Sequence, residues 1–466
     1  MSEIARIREM VAVSGPKVIS AAHPAAAAAG LSAYAAGGNA FDAALAACFM
    51  ETVALPMKAG LFGDLVALFR VAGGEFQSII SIGAGPKALS GGATLEPTGP
   101  RSVGVPGAPH GYAALHGMAR LDLERLVAPA VSASERGVPW TRVALSYVQE
   151  AAALLAKHSP ENPYSPGGHI PALSEVRRLP GLGRWLRLFA SRREALFEGE
   201  DGAHVLNVLR ARGGILDEVD FRQRPANIGA LLEEEITADC VLSVTGRPTQ
   251  GFRLAKVVRA GLRAESLPEI VRADRDAAKR KGQLATDGGT SVVTAADDEG
   301  NAVVVLHSNS FPQFASGIVL DDGLILNNRP GRGFDLEAPS NAADAPRAGR
   351  VPPTTLHAWC LKRDDTSLIG ATPGGVNQLP WNAQTILELM AGRSIAEVVT
   401  SPRWALDGRD MLTAETGART GDAVPTGGVI PALSLRSAQQ VIRLARDGLH
   451  EAAADPRAGC VALAAF

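Results

Sequence analysis

The sequence predicts a layered α+β fold, and three observations carry that expectation. Ala-rich, helix-patterned segments lie near the start of the chain, and others near residues 380–395 and 434–447. Strand-patterned runs dominate from Thr290 onward. The 466 residues, 46% hydrophobic and 20% charged, suffice for two ordinary domains or one large layered one with a substantial core. Helices, sheet, sheet and helices are the layers of a sandwich.

Residues 17–30 read as a short strand followed by an Ala-rich helix. The segment GGNAFDAALAACFMETVAL gives a second helix, with Asn39 or Asp42 near its start. LVALFRV and FQSIISI, joined through Ala-Gly-Gly, form a hairpin. A Gly/Pro-rich loop then leads into a mainly helical stretch, and the Pro- and Gly-dense residues 158–187 read as a loop with short turns. Between about residues 225 and 260 the pattern is helix, strand (ITADCVLSVTG), helix. Residues 266–289 form a charged lead without a strong pattern. The strands SVVTA, NAVVVLHS, GIVL, LILN, TTLHAWCLKR and TSLIGATPGG follow. No internal repeat or heptad is present.

Several function classes lose their footing early. With a net charge of −2 and a pI near 6.5, nothing calls for nucleic acid or an anionic membrane as partner. The start of the chain lacks a long apolar run, no 18-residue apolar span occurs, and a cytoplasmic location is the expectation. Cys48, Cys240, Cys360 and Cys460 lie far apart without CxxC spacing and read as buried free thiols. No P-loop, dinucleotide fingerprint, HExxH or GxSxG motif appears, so neither a cofactor nor a metal is expected. His307 and His357 read as ordinary sheet residues, and Glu233, Glu234 and Glu235 as a solvated face.

Thr290 stands apart. It follows a glycine pair at the head of a strand, in DGGTSVVTAADDEGNAVVV. A threonine there commonly marks only a turn entering a strand. If the Gly289–Thr290 bond breaks, however, the hydroxyl gains an α-amine whose ordinary pKa, near 8, suits a general base. A threonine with its own N-terminal amine is an activated nucleophile.

The surroundings strengthen that reading. "ISAAHPAAAAAGLSAYAAGGNAFDAALAA", "GVPGAPHGYAALH", "LERLVAPAVSASERGVP", "GTSVVTAADDEGNAVVVLHSNS", "GIVLDDGLILNNR", "ATPGG" and "SPRW" occur in this order. Together they resemble the γ-glutamyltranspeptidase family of N-terminal-nucleophile (Ntn) hydrolases. The resemblance implies a four-layer αββα sandwich, the Ntn-hydrolase fold, made as one precursor. It implies cleavage between Gly289 and Thr290 into a large subunit, residues 1–289, and a small subunit, residues 290–466. Thr290 becomes the nucleophile, the amides of Gly374 and Gly375 the oxyanion hole, and Ser308 the hydroxyl partner on the neighbouring strand. Asn309, Thr354 and Thr355 join the substrate site. The resemblance also allows such units to pair further, as a homodimer of the heterodimer.

Two departures bear on the substrate. The position expected to carry an arginine clamp for the α-carboxylate of a γ-glutamyl group is Ile82. Arg329 and Arg332 follow Asn-Asn where a neutral residue and an acid are expected, unless both are surface residues. Arginines suit an α-oxo carboxylate through bidentate bonds. The expectation is hydrolysis of the amide of a small acidic substrate. The alternatives are C–C cleavage releasing an oxalyl unit in alkylproline antibiotic biosynthesis, γ-glutamyl transfer, or an uncleaved binding protein.

Overall fold

The structure, a computed structural model, describes residues 10–263, 266–280 and 289–466. Two seven-stranded sheets organise it. The first runs, edge to edge, Ala12–Gly15, His450–Ala454, Gln440–Leu444, Thr366–Ala371, Trp359–Arg363, Cys240–Val244 and Leu232–Thr237. The second runs Val461–Ala465, Lys17–Ala21, Gly289–Ala296, Ala302–Ser310, Asp64–Arg70, Gln77–Ser81 and Ala226–Ala230. Every pairing within these two sheets is antiparallel.

Side-chain burial shows why the sheets stack. Alternate residues of a strand face opposite sides. Val292, Val304, Leu306, Val66 and Leu68 of the second sheet meet Cys360, Ile369, Ile442 and Ala452 of the first in one apolar layer. The opposite face of the second sheet, with Val293, Val303 and Val305, packs on helices Pro24–Ala35, Ala40–Ala54, Ala108–His116, Leu123–Arg136 and Pro180–Arg192. The outer face of the first sheet, with Leu242, Trp359 and Val441, packs on Gly251–Gly261, Leu267–Arg280, Gln378–Met390 and Ile395–Thr400. Helices, sheet, sheet, helices: this is the expected four-layer αββα sandwich.

The helix Ala40–Ala54 is buried over its whole length, which its alanine content permits by keeping it thin. Both sequence candidates for its start take part. Asn39 caps the helix and Asp42 closes a capping box onto the Asn39 amide. Asp42 also accepts from the amides of Arg120 and Leu121, tying this helix to the chain that follows Ala108–His116.

Several elements differ from the sequence reading. The predicted first helix after residue 225 is replaced by the strands Ala226–Ala230 and Leu232–Thr237, which close the edges of the two sheets. Glu233 and Glu235 are indeed solvated, but on an edge strand, where charge discourages further pairing. The predicted helix 434–447 contains the strand Gln440–Leu444, whose alternation is masked by the central position that buries both faces. GIVL and LILN make a single Val319–Ile325 bridge around an Asp-Gly turn, and TTLHAWCLKR is a strand only over Trp359–Arg363. Within the expected loop 158–187 a helix starts at Pro180, a residue suited to the first helical turn. The charged lead is the helix Leu267–Arg280 as far as it is described; Gly288, first of the glycine pair, lies outside the described residues.

Candidate active site

The site is built on an irregularity between two central strands. Gly289 pairs with Ser310 and Ser291 pairs with His307, so Thr290 faces two residues, Ser308 and Asn309. This is a β-bulge in the partner strand, the device by which sheets re-aim side chains. Ser310 at the bulge has φ +83°, an uncommon backbone for a non-glycine residue. The Thr290 hydroxyl donates to Ser308 Oγ at 3.2 Å. Ser308 Oγ in turn donates to the carbonyl oxygen of Gly289 and accepts from the amide of Ser310 at 3.0 Å. A Cβ on Gly289 would lie 2.8 Å from Gln313 Oε1 and 3.0 Å from Ser310 O, so a larger residue before Thr290 would require the Gln313 side chain to move and would press on the Ser310 carbonyl.

Thr372-Pro373-Gly374-Gly375 reaches the same place from the first sheet. Gly374 has φ +128° and Gly375 φ +57°. A Cβ on Gly374 would lie 2.2 Å from the Trp381 ring. Gly374 lines a cavity of about 200 Å³ together with Thr290. Among the described residues, neither the Gly374 nor the Gly375 amide has a hydrogen-bond partner. Gly375 follows directly but does not line the cavity.

The other walls were not singled out by sequence. Phe311, Pro373, Trp381, Tyr147, Ala438 and Ala458 give the cavity apolar faces. Lys58, Arg436 and Glu150 bring charge. Arg436 pairs with Glu150 at the exposed rim. The guanidinium of Arg436 and the ammonium of Lys58 lie 5.5 and 5.9 Å from the centre of the Tyr147 ring. Lys58 is 3% exposed and, among the described residues, has no carboxylate partner. No motif announces these residues; they meet only because the fold brings six separate stretches of the chain to the bulge.

The arginines expected in the pocket stand elsewhere. Arg329 is neither a surface residue nor a cavity wall: its Nε donates to Asp64 Oδ2 at 2.7 Å in a buried pair. Burial pushes the Asp64 carboxyl up, and the guanidinium partly opposes this. Arg332 stands behind the wall, donating to the Phe311 carbonyl at 3.2 Å with its guanidinium 5.5 Å from that ring. Thr354 and Thr355 are buried at the far side of the glycine loop, where Thr355 accepts from Gln378 Nε2 at 3.4 Å. Neither lines the cavity. Ile82, where a clamp is absent, is buried between the sheets.

Asn309 acts on backbone rather than on the cavity. Its amide donates to the Lys58 carbonyl at 2.8 Å and its Nδ2 to the Pro56 carbonyl at 3.0 Å. His307, on the opposite face of the strand from Ser308, is fully buried between Glu51, at 2.7 Å, and Tyr112, at 2.8 Å. His357 bonds Asn382 at 2.9 Å and the Thr355 carbonyl at 2.7 Å. His307 is an internal sheet residue, as its pattern suggested, whereas His357, equally buried, lies just before the strand Trp359–Arg363. All four cysteines are buried free thiols.

A model of the gamma-glutamyltranspeptidase family matches residues 26–261 and 254–465. The chain is similar to the acylase ACY 1 proenzyme of Pseudomonas sp. (strain V22), 32% identical over 222 residues, 43% of this chain and 39% of that one. The match thus spans less than half the length of that acylase. A longer match joins it to the glutathione hydrolase proenzyme of Bacillus subtilis (strain 168), 23% identical over 85% of this chain and 81% of the relative. In fold it resembles the cephalosporin acylase of Bacillus halodurans, with a TM-score of 0.82 and 22% identity over 98% of this chain and 97% of that one. The family match extends over nearly the whole chain and coincides with an αββα sandwich: the protein belongs to the gamma-glutamyltranspeptidase family.

Proposed function

We propose that this protein is a self-processing acyl hydrolase: it cuts its own Gly289–Thr290 bond and then hydrolyses the amide of a small acidic acyl group through an acyl-Thr290 intermediate. One observation carries the reading. A hydrogen-bonded run from Thr290 Oγ1 through Ser308 Oγ to the Gly289 carbonyl oxygen supports it, linking the proposed nucleophile to the group it would attack.

In the first reaction Thr290 Oγ1 attacks the Gly289 carbonyl carbon. Its proton moves to Ser308, which already donates to the oxygen that gains charge. As the C–N bond breaks, that proton passes on to the Thr290 nitrogen, which leaves as a free amine while the acyl group stays as an ester on Thr290 Oγ1; water then hydrolyses the ester, releasing Gly289 as a carboxylate and restoring the hydroxyl. The products are residues 1–289 and 290–466. In the second reaction the new amine takes the Thr290 hydroxyl proton as the hydroxyl attacks the substrate amide, and returns it to the departing amine. The Gly374 and Gly375 amides hold the oxyanion, and water hydrolyses the acyl-threonine. The unpartnered state of those amides supports this role.

Denaturing electrophoresis tests the proposal directly. The purified protein is expected as two fragments, the smaller beginning Thr-Ser-Val-Val, whereas Thr290→Ala stays single and inactive. An intact wild-type chain without amidase activity would establish the binding-protein alternative instead. Comparison of γ-glutamyl-p-nitroanilide with oxamate-type amides separates transfer of a γ-glutamyl group from hydrolysis of smaller acids.

A further inference from the structure

We infer that Lys58 is the anion anchor of the Thr290 cavity, binding a carboxylate carried by the acyl half of the substrate. The inference rests on the hydrolase reading above and assigns to Lys58 the role that sequence pattern gave to Arg329 and Arg332.

An ammonium removed from water without a partner costs several kcal/mol, so proteins pair buried lysines or expose them. The Lys58 side chain is buried, with the residue 3% exposed, while its Nζ is not among the fully enclosed polar atoms and opens on the cavity; the ion pairs of the described residues leave it out. The neighbouring charges are already engaged. Arg436 holds Glu150, and Arg329 holds Asp64. Tyr147 offers Lys58 the face of its ring at 5.9 Å, which eases desolvation but supplies no countercharge. What remains is a cation aimed at a cavity that also contains the nucleophile.

The rest of the cavity sets the size and character of the ligand. A cavity of about 200 Å³ has room for a short acyl chain. Phe311, Trp381, Ala438 and Ala458 suit methylenes. A short acyl group bearing one carboxylate, such as a dicarboxylic half-amide or an oxo-acid amide, satisfies both the cation and the apolar walls.

The position of Lys58 is fixed through the bulge. Asn309 grips both the Pro56 and the Lys58 carbonyls, and the Phe314 amide donates to the Met57 carbonyl at 3.1 Å. Because Asn309 and Ser308 are the two residues facing Thr290, one irregularity orients the nucleophile and the anion anchor together.

The test compares wild type, Lys58→Met and Lys58→Arg on glutaryl- and pentanoyl-p-nitroanilide, which differ only in the terminal carboxylate. Lys58→Met is expected to lower kcat/KM for the glutaryl substrate about 100-fold, the value of one charged hydrogen bond, and to leave the pentanoyl substrate within a few-fold. Lys58→Arg should retain most of the glutaryl preference. Calorimetric binding of glutarate gives a readout independent of turnover, with Thr290→Ala as the reference should Lys58→Met remain uncut. Equal loss on both substrates, or glutarate binding unchanged by Lys58→Met, overturns the anchor. Lys58-dependent glutarate binding without hydrolysis of either anilide upholds the anchor and refutes the hydrolase.

Discussion

At Gly374 the backbone leaves no choice of residue. Its φ of +128° is disfavoured by side chains, and a Cβ would enter the Trp381 ring at 2.2 Å. Gly374→Ala must therefore shift the loop that carries the proposed oxyanion donors. We expect kcat to fall by about 100-fold or more, the usual effect of losing one such donor. Thr290-dependent self-cleavage on a gel reports whether precursor processing uses the same loop. A fully active Gly374→Ala would remove the oxyanion role. At this scale the sequence was readable where a residue announces itself by neighbours, as Gly374 does within ATPGG and Thr290 after glycine. It was unreadable where meaning comes from a distant partner. Arg329 reads as a free cation until Asp64, 265 positions away, is seen beside it. Lys58 reads as an unremarkable loop lysine until the missing countercharge is seen.

At the scale of elements, the start of the buried helix Ala40–Ala54 gathers polar groups around one buried carboxylate, that of Asp42. The Asp42 carboxylate serves the amides of Asn39, Arg120 and Leu121. Asp42→Ala strands all three and should cost about 2–4 kcal/mol, against about 1 kcal/mol for Asn39→Ala, which removes one cap. Urea midpoints read the difference, and equal costs would show that Asp42 is no more than half of a cap. This helix was legible because GGNAFD precedes an unbroken apolar run. The strand Gln440–Leu444 was not, because a centrally placed strand loses the two-residue alternation that distinguishes it from a buried helical turn. The bulge at Thr290 was also invisible in advance. Register is a property of two strands, and the extra residue lies in the one that lacks the nucleophile.

Over the whole molecule, buried histidines weaken the fold in acid. Burial holds His357 down at about 4 and His110 likewise at about 4, both below the ordinary 6.5. Between these values the unfolded chain takes up protons that the folded one refuses, so stability is full above about pH 6.5 and falls as pH drops toward 4. For His357 alone the loss at pH 5 is about 2 kcal/mol. Denaturant midpoints at pH 7.5 and pH 5 check this, and His357→Asn should flatten the slope between them; an unchanged slope would mean that other groups govern it. The layered architecture itself was readable from the order of segments, while the strand order within each sheet was not, since pairing partners are set by three-dimensional packing.

That strand order also dictates how the molecule can come into being. In the second sheet, Lys17–Ala21 lies between Val461–Ala465 and Gly289–Ala296; in the first, Ala12–Gly15 lies beside His450–Ala454. Strands from before and after residue 289 are therefore interwoven in both layers. While the chain is continuous, their pairing is a search within one molecule. Once the chain is cut, the same pairing is an encounter between two, each lacking the neighbours that would hold its strands in place. A processed molecule would thus owe its shape to a connection it no longer has, and its persistence to the slowness of unfolding.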